Sequence, residues 1–272
     1  IFQEQLMSFL FKNTAVIYDR KHSSFSELKP SSINWENVFE GVSWFHFTAI
    51  SPALNANIAA LCEEALIVAT KKGITISLDL NYREKLWKYG IEPIDIMPKL
   101  ARYADVIMGN IWAAEKMLGI TINPELIVLG KDINLVEQAQ NTSLEILTKY
   151  PNCKTVANTF RFNEAEGVKY FAVLYQGGSS YTSKTLFAEK PIDKVGTGDC
   201  FMAGLIYGTL CAKEPQQTVE FAARAAYLKL FIKGDILTQN FRDFGFDLNI
   251  EADNFRAVNS GAQDNDLYYG KL

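Results

Sequence analysis

The chain has 272 residues, 48% hydrophobic and 21% charged, with a formal net charge of −4 and a pI near 5.4. That composition can build a full core, and it offers no basic field for nucleic acid or an anionic membrane. No apolar run reaches the ~18 residues that span a bilayer, the four cysteines lack metal or disulfide spacing, and two histidines leave little for a histidine-based metal site. Free thiols of this kind fit a reducing cytoplasm.

The first residues, 1–13, read as an apolar piece of a longer element, and Thr14 to Tyr18 reads as a strand with Arg20 just past its end. Ser43 to Thr48 is an aromatic-rich buried strand. Leu54 to Lys72 carries Leu54, Ile58, Leu61, Cys62, Ala65, Leu66 and Ala69 at helical spacing, a core-facing stripe. Ile74 to Leu80 is the next strand and closes on Asp79-Leu80-Asn81-Tyr82-Arg83. Ligands of parallel α/β sheets bind beyond the carboxyl ends of strands, so Asp79, Asn81 and Arg83 stand where a site would be. Arg83 is either a carboxylate-binding group or a partner of Glu84 or Asp79. Asp105 to Met108 is a short strand ending in Gly109-Asn110, Leu135 to Tyr150 a helix, and Thr155 to Asn158 a strand followed by Thr159-Phe160-Arg161. Gly167 to Tyr175 and Tyr181 to Phe187 read as an antiparallel pair turning at Gln176-Gly177-Gly178-Ser179. Val219 to Ile232 is a helix. Strands alternating with helices predict one α/β domain over residues 1–272 with a mainly parallel sheet.

The stretch from Asp193 to Gly204 differs from all of these. A glycine-rich turn, Gly196-Thr197-Gly198, runs straight into the apolar helical pattern of Phe201, Met202, Leu205, Ile206 and Leu210. A helix start leaves its first N–H groups unpaired and adds partial positive charge, which suits a phosphate. Asp199 sits at the mouth of that site. It reads either as a helix cap or as a base that takes a proton from an attacking hydroxyl. The turn matches neither a Walker loop nor a dinucleotide fingerprint.

Asp193-x-x-Gly196-x-Gly198-Asp199-x-Phe201-x-x-Gly204 resembles the C-terminal signature of the ribokinase-like (PfkB) carbohydrate kinases. Ile17-Tyr18-Asp19-Arg20, Trp44-Phe45-His46-Phe47, the run Asp79 to Trp87 and Tyr181 to Lys184 resemble the branch acting on 2-dehydro-3-deoxygluconate. The likeness runs from about Val16 to Asp235. It implies a ribokinase-like three-layer α/β/α sandwich with an incomplete β lid in residues 1–20. It also implies ATP-dependent phosphorylation of a primary hydroxyl of a sugar acid. Asp199 is then the catalytic base, with Gly196, Thr197 and Gly198 holding the transferring phosphate. Tyr18, Arg20 and Arg83 reach the sugar acid, and Asn110, Asn158, Arg161 and Gly198 face ATP. Mg²⁺ is the implied metal, with K⁺ left open, and the assembly expected is a homo-oligomer.

Two departures matter. The family's Asn-x-x-Glu, linked to Mg²⁺, reads Asn110-Ile111-Trp112-Ala113, and Glu115 lies about 200° further round a helix. That leaves the magnesium network in doubt, with Asp193 as a substitute metal ligand. The sugar-binding segment that usually precedes the lid is not found before Val16; Glu251 to Ala262 resembles it instead, in an atypical segment over 236–272. That segment is a displaced or permuted sugar-binding piece, which places Gly261 near the sugar, or a chance match in a polar tail. The rival functions are a kinase for a neutral sugar such as fructose or ribose, and a catalytically silent kinase-like binding protein.

Overall fold

The computed structural model describes residue 20, residues 22–128 and residues 132–236. Its elements in chain order are α1 (Trp35–Val38), β1 (Trp44–Thr48), α2 (Ala56–Lys71), β2 (Thr75–Asp79), α3 (Pro93–Ala101), β3 (Val106–Gly109), α4 (Ile111–Leu118), α5 (Pro124–Val128), α6 (Asp132–Lys149), β4 (Thr155–Glu164), β5 (Gly167–Gln176), β6 (Ser179–Thr182), β7 (Leu186–Ala188), α7 (Thr197–Leu210) and α8 (Pro215–Lys229). The strands form one seven-stranded sheet in the order β1-β2-β3-β4-β5-β6, with β7 also on β5. β1 to β4 run parallel; β5 is antiparallel to β4, β6 and β7. Among the described residues no helix is long and apolar enough to cross a membrane.

Period-two side-chain alternation gives the sheet two buried faces. Phe47, Ile76, Leu78, Leu80 and Ile107 pack with α2, α3, α4 and α6. On the other face, Val106, Met108 and Ala157 pack with Phe201, Met202 and Leu205 of α7 and Val219, Ala222 and Ala226 of α8. This is the expected three-layer α/β/α arrangement. A Cβ on Gly204 would come within 2.8 Å of Ala222 Cα, so glycine lets α7 and α8 press together. That seat fixes the N-terminus of α7 over the sheet.

Most predicted elements stand within a few residues of their expected ends. Two do not. The strand expected over Thr155–Asn158 continues to Glu164, because β5 pairs with it along its whole length. The expected Tyr181–Phe187 strand splits in two: Ser183 Oγ accepts the Ala172 N–H at 3.0 Å, displacing the backbone ladder between β6 and β7. The helices α1, α3 and α5 were not predicted; Pro93 opens α3, and Pro98 lies inside it. The Gln176–Ser179 turn is as read, with Gly177 and Gly178 both at positive φ (59° and 80°) in a two-residue hairpin loop. The lid expected over residues 1–20, and the segment over 236–272, lie outside the described residues except for Arg20 and Ile236.

Candidate active site

The carboxyl ends of β1, β2 and β3 finish at Thr48, Asp79 and Gly109. The N-terminus of α7 sits over them. Gly196 is the N-cap, in the left-handed region at φ 77°, and a Cβ there would land on the Asp235 carbonyl oxygen. Glycine at 196 is therefore required twice over. The first intrahelical bond joins Cys200 N–H to Gly196 C=O at 2.9 Å. The N–H groups of Thr197, Gly198 and Asp199 thus point beyond the helix end, an anion cradle. Asp199 is the third helical residue and exposed, so it does not cap the helix; Gly196 does.

Gly198 is not in the left-handed region, and a Cβ there would meet only Asp79 Oδ2 and Met108 Cε, both at 3.9 Å. An alanine would fit the backbone and protrude towards Asp79.

Arg161 comes to this loop. Its Nη1 donates to Lys194 O (3.1 Å) and to Thr197 Oγ1, which itself donates to Lys194 O at 3.0 Å. Loss of solvent around the guanidinium lowers its pKa, opposed by Tyr170 and reinforced by the charge of Arg83. Arg83 is exposed, with Nη1 donating to Tyr82 O at 2.9 Å. Among the described residues neither arginine has a carboxylate in ion-pair range. Two cations that repel each other, neither in ion-pair range of a carboxylate among the described residues, make a place for an anion.

Asn158 is corrected. It is buried, and its Nδ2 donates to Ser143 Oγ (3.0 Å) and Ala139 O (3.4 Å) on α6. Asn158 and Arg161 are an odd number of residues apart on one strand, so they lie on opposite faces, and the expectation that both face ATP fails for Asn158. Asn110 caps α4, its Oδ1 accepting the Ala113 N–H at 2.8 Å, at the correct end of β3. Ala113 is buried in the core and Glu115 is exposed, so Glu115 does not replace the missing carboxylate. Asp193 braces the loop: Oδ1 accepts Val195 N–H (3.0 Å) and Oδ2 accepts Gly234 N–H (2.9 Å), the two main reasons its pKa is lowered. Arg20 is exposed, and no contact among the described residues brings its side chain to the site. Tyr18 and Gly261 lie outside the described residues.

The structure joins His46 and Ser77, which the sequence reading left out of the site, to Asp79, which it had placed there. His46, Ser77 and Asp79 share the sheet face under α7. Ser77 Oγ lies 2.9 Å from both Trp44 Nε1 and His46 Nδ1. Desolvation lowers the His46 pKa, against the opposite pull of Ser77 and Asp199. Asp79 is buried, and burial pushes its carboxyl up to about 7; the Asn81 N–H bond (3.0 Å) opposes this, Asp199 adds to it, and Arg83 opposes it. The signal was present in the sequence: His46, and Ser77 with Asp79 two residues on, are polar positions within otherwise largely apolar strand patterns. A groove lined by Thr70, Ile74, Tyr103, Asp105 and Lys154 lies at the opposite ends of the strands and brings no such groups together.

The pfkB family carbohydrate kinase model matches residues 10–240. A 2-dehydro-3-deoxygalactonokinase of Haloferax volcanii is 28% identical over 226 residues, 82% of this chain and 62% of that one. A 2-dehydro-3-deoxygluconokinase of Bacillus subtilis is 26% identical over 221 residues, 81% of this chain and 60% of that one. The crystal structure of a Thermotoga maritima 2-dehydro-3-deoxygluconokinase superposes with a TM-score of 0.76 at 34% identity, covering 85% of this chain and 67% of that one. The chain thus spans less than two thirds of the length of both curated relatives.

Proposed function

The chain belongs to the pfkB family of carbohydrate kinases, and from that premise we propose that it transfers a phosphoryl group from ATP to a primary hydroxyl of 2-dehydro-3-deoxy-D-gluconate, giving the 6-phosphate. The observation that carries this reading is the convergence at the start of α7. An outward-pointing N–H cradle, an exposed carboxylate at Asp199, and the unpaired cations Arg83 and Arg161 meet beyond the carboxyl ends of parallel strands. Asp199 takes the hydroxyl proton. The Thr197, Gly198 and Asp199 N–H groups hold the charge that builds on the transferring phosphate. Arg161 stiffens the cradle from below. Arg83 grips the sugar-acid carboxylate, the role read for Arg20 as well, while Tyr18 was expected to reach the sugar acid and Gly261 to lie near the sugar. Asn110 lines the nucleotide side.

The family implies Mg²⁺. Among the described residues no group of three or more His, Cys, Asp or Glu side chains could hold a metal. Mg²⁺ in phosphoryl transfer needs only one or two carboxylates, with phosphates and waters completing its shell. Asp79 fits that need: Oδ1 is taken by Asn81, while Oδ2 faces Gly198 and the described residues give it no donor. Asp79 would hold the ion in place of the carboxylate missing at 113, and Asp193, with both oxygens engaged, would not. When bound, Mg²⁺ neutralises the nucleotide phosphates. A cytoplasmic homo-oligomer belongs to the same reading.

The test is a coupled assay of ADP release with Mg-ATP and a panel of 2-dehydro-3-deoxy sugar acids, fructose and ribose, in K⁺ and in Na⁺. Turnover with a sugar acid and little with neutral sugars is expected. Preference for fructose or ribose would replace the acid reading, and no turnover with any would leave a binding protein.

A further inference from the structure

Lys229 is the last residue of α8, and it is fully buried. Lysines in a last helical turn usually complement the helix dipole from the surface, with the head group in water. An enclosed ammonium is costly unless hydrogen bonds and opposite charge surround it. Lys229 Nζ donates to Ile232 O at 2.8 Å, in the turn that follows its own helix. Its charge also acts on Asp193, whose carboxyl it helps to hold in the ionised form after the Val195 and Gly234 N–H groups, and on Cys200, which closes the first turn of α7.

The segments around this ammonium are laced together. Ile192 and Asp193 N–H both donate to Leu230 O, at 2.7 and 3.2 Å. Gly234 N–H donates to Asp193 Oδ2 at 2.9 Å, and the Asp235 carbonyl sits against Gly196, where a Cβ would collide. The turn after α8 and the loop before α7 therefore form one unit, with Lys229 enclosed beside it.

We propose that Lys229 is a positioning residue for the anion cradle: its buried ammonium holds the 229–235 turn through Ile232 O, the turn is bonded to Ile192 and Asp193 and sits against Gly196, and this fixes the direction of the Thr197, Gly198 and Asp199 N–H groups. Its chemical purpose rests on the kinase reading, but its contacts do not.

Amide hydrogen exchange of the whole chain tests this with two variants. Lys229→Met keeps the volume and removes the charge. Lys229→Ala leaves a space that an ammonium ion can fill. Both should exchange about tenfold faster or more in peptides covering 193–200 and 230–235, the opening expected when a charge-assisted hydrogen bond is lost, with β2, β3 and β4 unchanged. Ammonium chloride should slow the loop of Lys229→Ala again, and sodium chloride at equal ionic strength should not. Unchanged loop exchange, equal acceleration in the sheet, or equal rescue by sodium would overturn the proposal. If Lys229→Ala does not fold, the exchange pattern of Lys229→Met decides. A parent chain that phosphorylates no sugar would sink the kinase reading and leave these results to decide the positioning role.

Discussion

Asp79→Asn should make the protein more stable at neutral pH and less active. The carboxyl of Asp79 is raised from 3.8 to about 7, chiefly by burial. A group whose folded pKa is raised gives stability that is fully present below its unfolded value and is lost as pH rises through the folded value. Here the loss runs from about pH 4 to about pH 7, as the fold is forced to hold a buried carboxylate beside Asp199. The distance from 3.8 to about 7, at about 1.4 kcal/mol per pH unit, amounts to about 4 kcal/mol. Asparagine keeps the Oδ1 acceptor for the Asn81 N–H and carries no charge, so it removes that burden. Urea unfolding of parent and variant at pH 5, 6, 7 and 8 reads the effect. The advantage of the variant should grow by about 2 kcal/mol between pH 5 and 7 and then level off. Turnover should fall, since the carboxylate that we assign to Mg²⁺ is gone, which is stability gained at the cost of a strained site. A stability difference flat to within about 0.5 kcal/mol across that range would refute the reasoning.

Asp199→Asn should lower kcat by ~10² to 10⁴, the usual worth of a positioned base, with an unchanged unfolding midpoint because the side chain is exposed; a kcat within threefold of the parent in a steady-state assay would leave Asp199 without a base role. Gly196→Ala should destabilise the fold by about 1–3 kcal/mol through its positive φ and the Asp235 carbonyl, whereas Gly198→Ala should melt with the parent and lose phosphoryl transfer; calorimetry and turnover on the same pair separate the two. Asn158→Ala should cost about 1–3 kcal/mol from the buried Ser143 bond and leave KM for ATP unchanged, which a nucleotide titration checks. Arg83→Ala should raise KM for a sugar acid and hardly change KM for ATP; equal losses on acidic and neutral sugars would point away from carboxylate recognition.

Local chemistry made much of this protein legible without coordinates. Two adjacent glycines at 177 and 178 specify a two-residue hairpin loop, because few other residues accept positive φ twice in succession. Gly196 to Asp199 specify a helix start that can hold an anion, because the unpaired N–H groups are a property of any helix end. The alternation of strands and helices specified the sheet class. What the chain order does not carry is which face of a strand meets which helix. Asn158 and Arg161 looked equivalent as polar residues near one strand end, yet pairing with β5 extended β4, and alternation turned one towards α6 and the other towards the loop. Asp79 and Asp199 are separated by more than a hundred residues, and only the seating of α7 over β2 makes one perturb the other. Lys229 falls inside the Val219–Ile232 helical pattern, which says nothing of its burial; its enclosure goes with the 229–235 turn folding back on Asp193, a contact set by tertiary packing. Short-range backbone preference acts within a few residues and is written in the sequence, while burial and the electrostatics that follow from it exist only once distant segments share one interior.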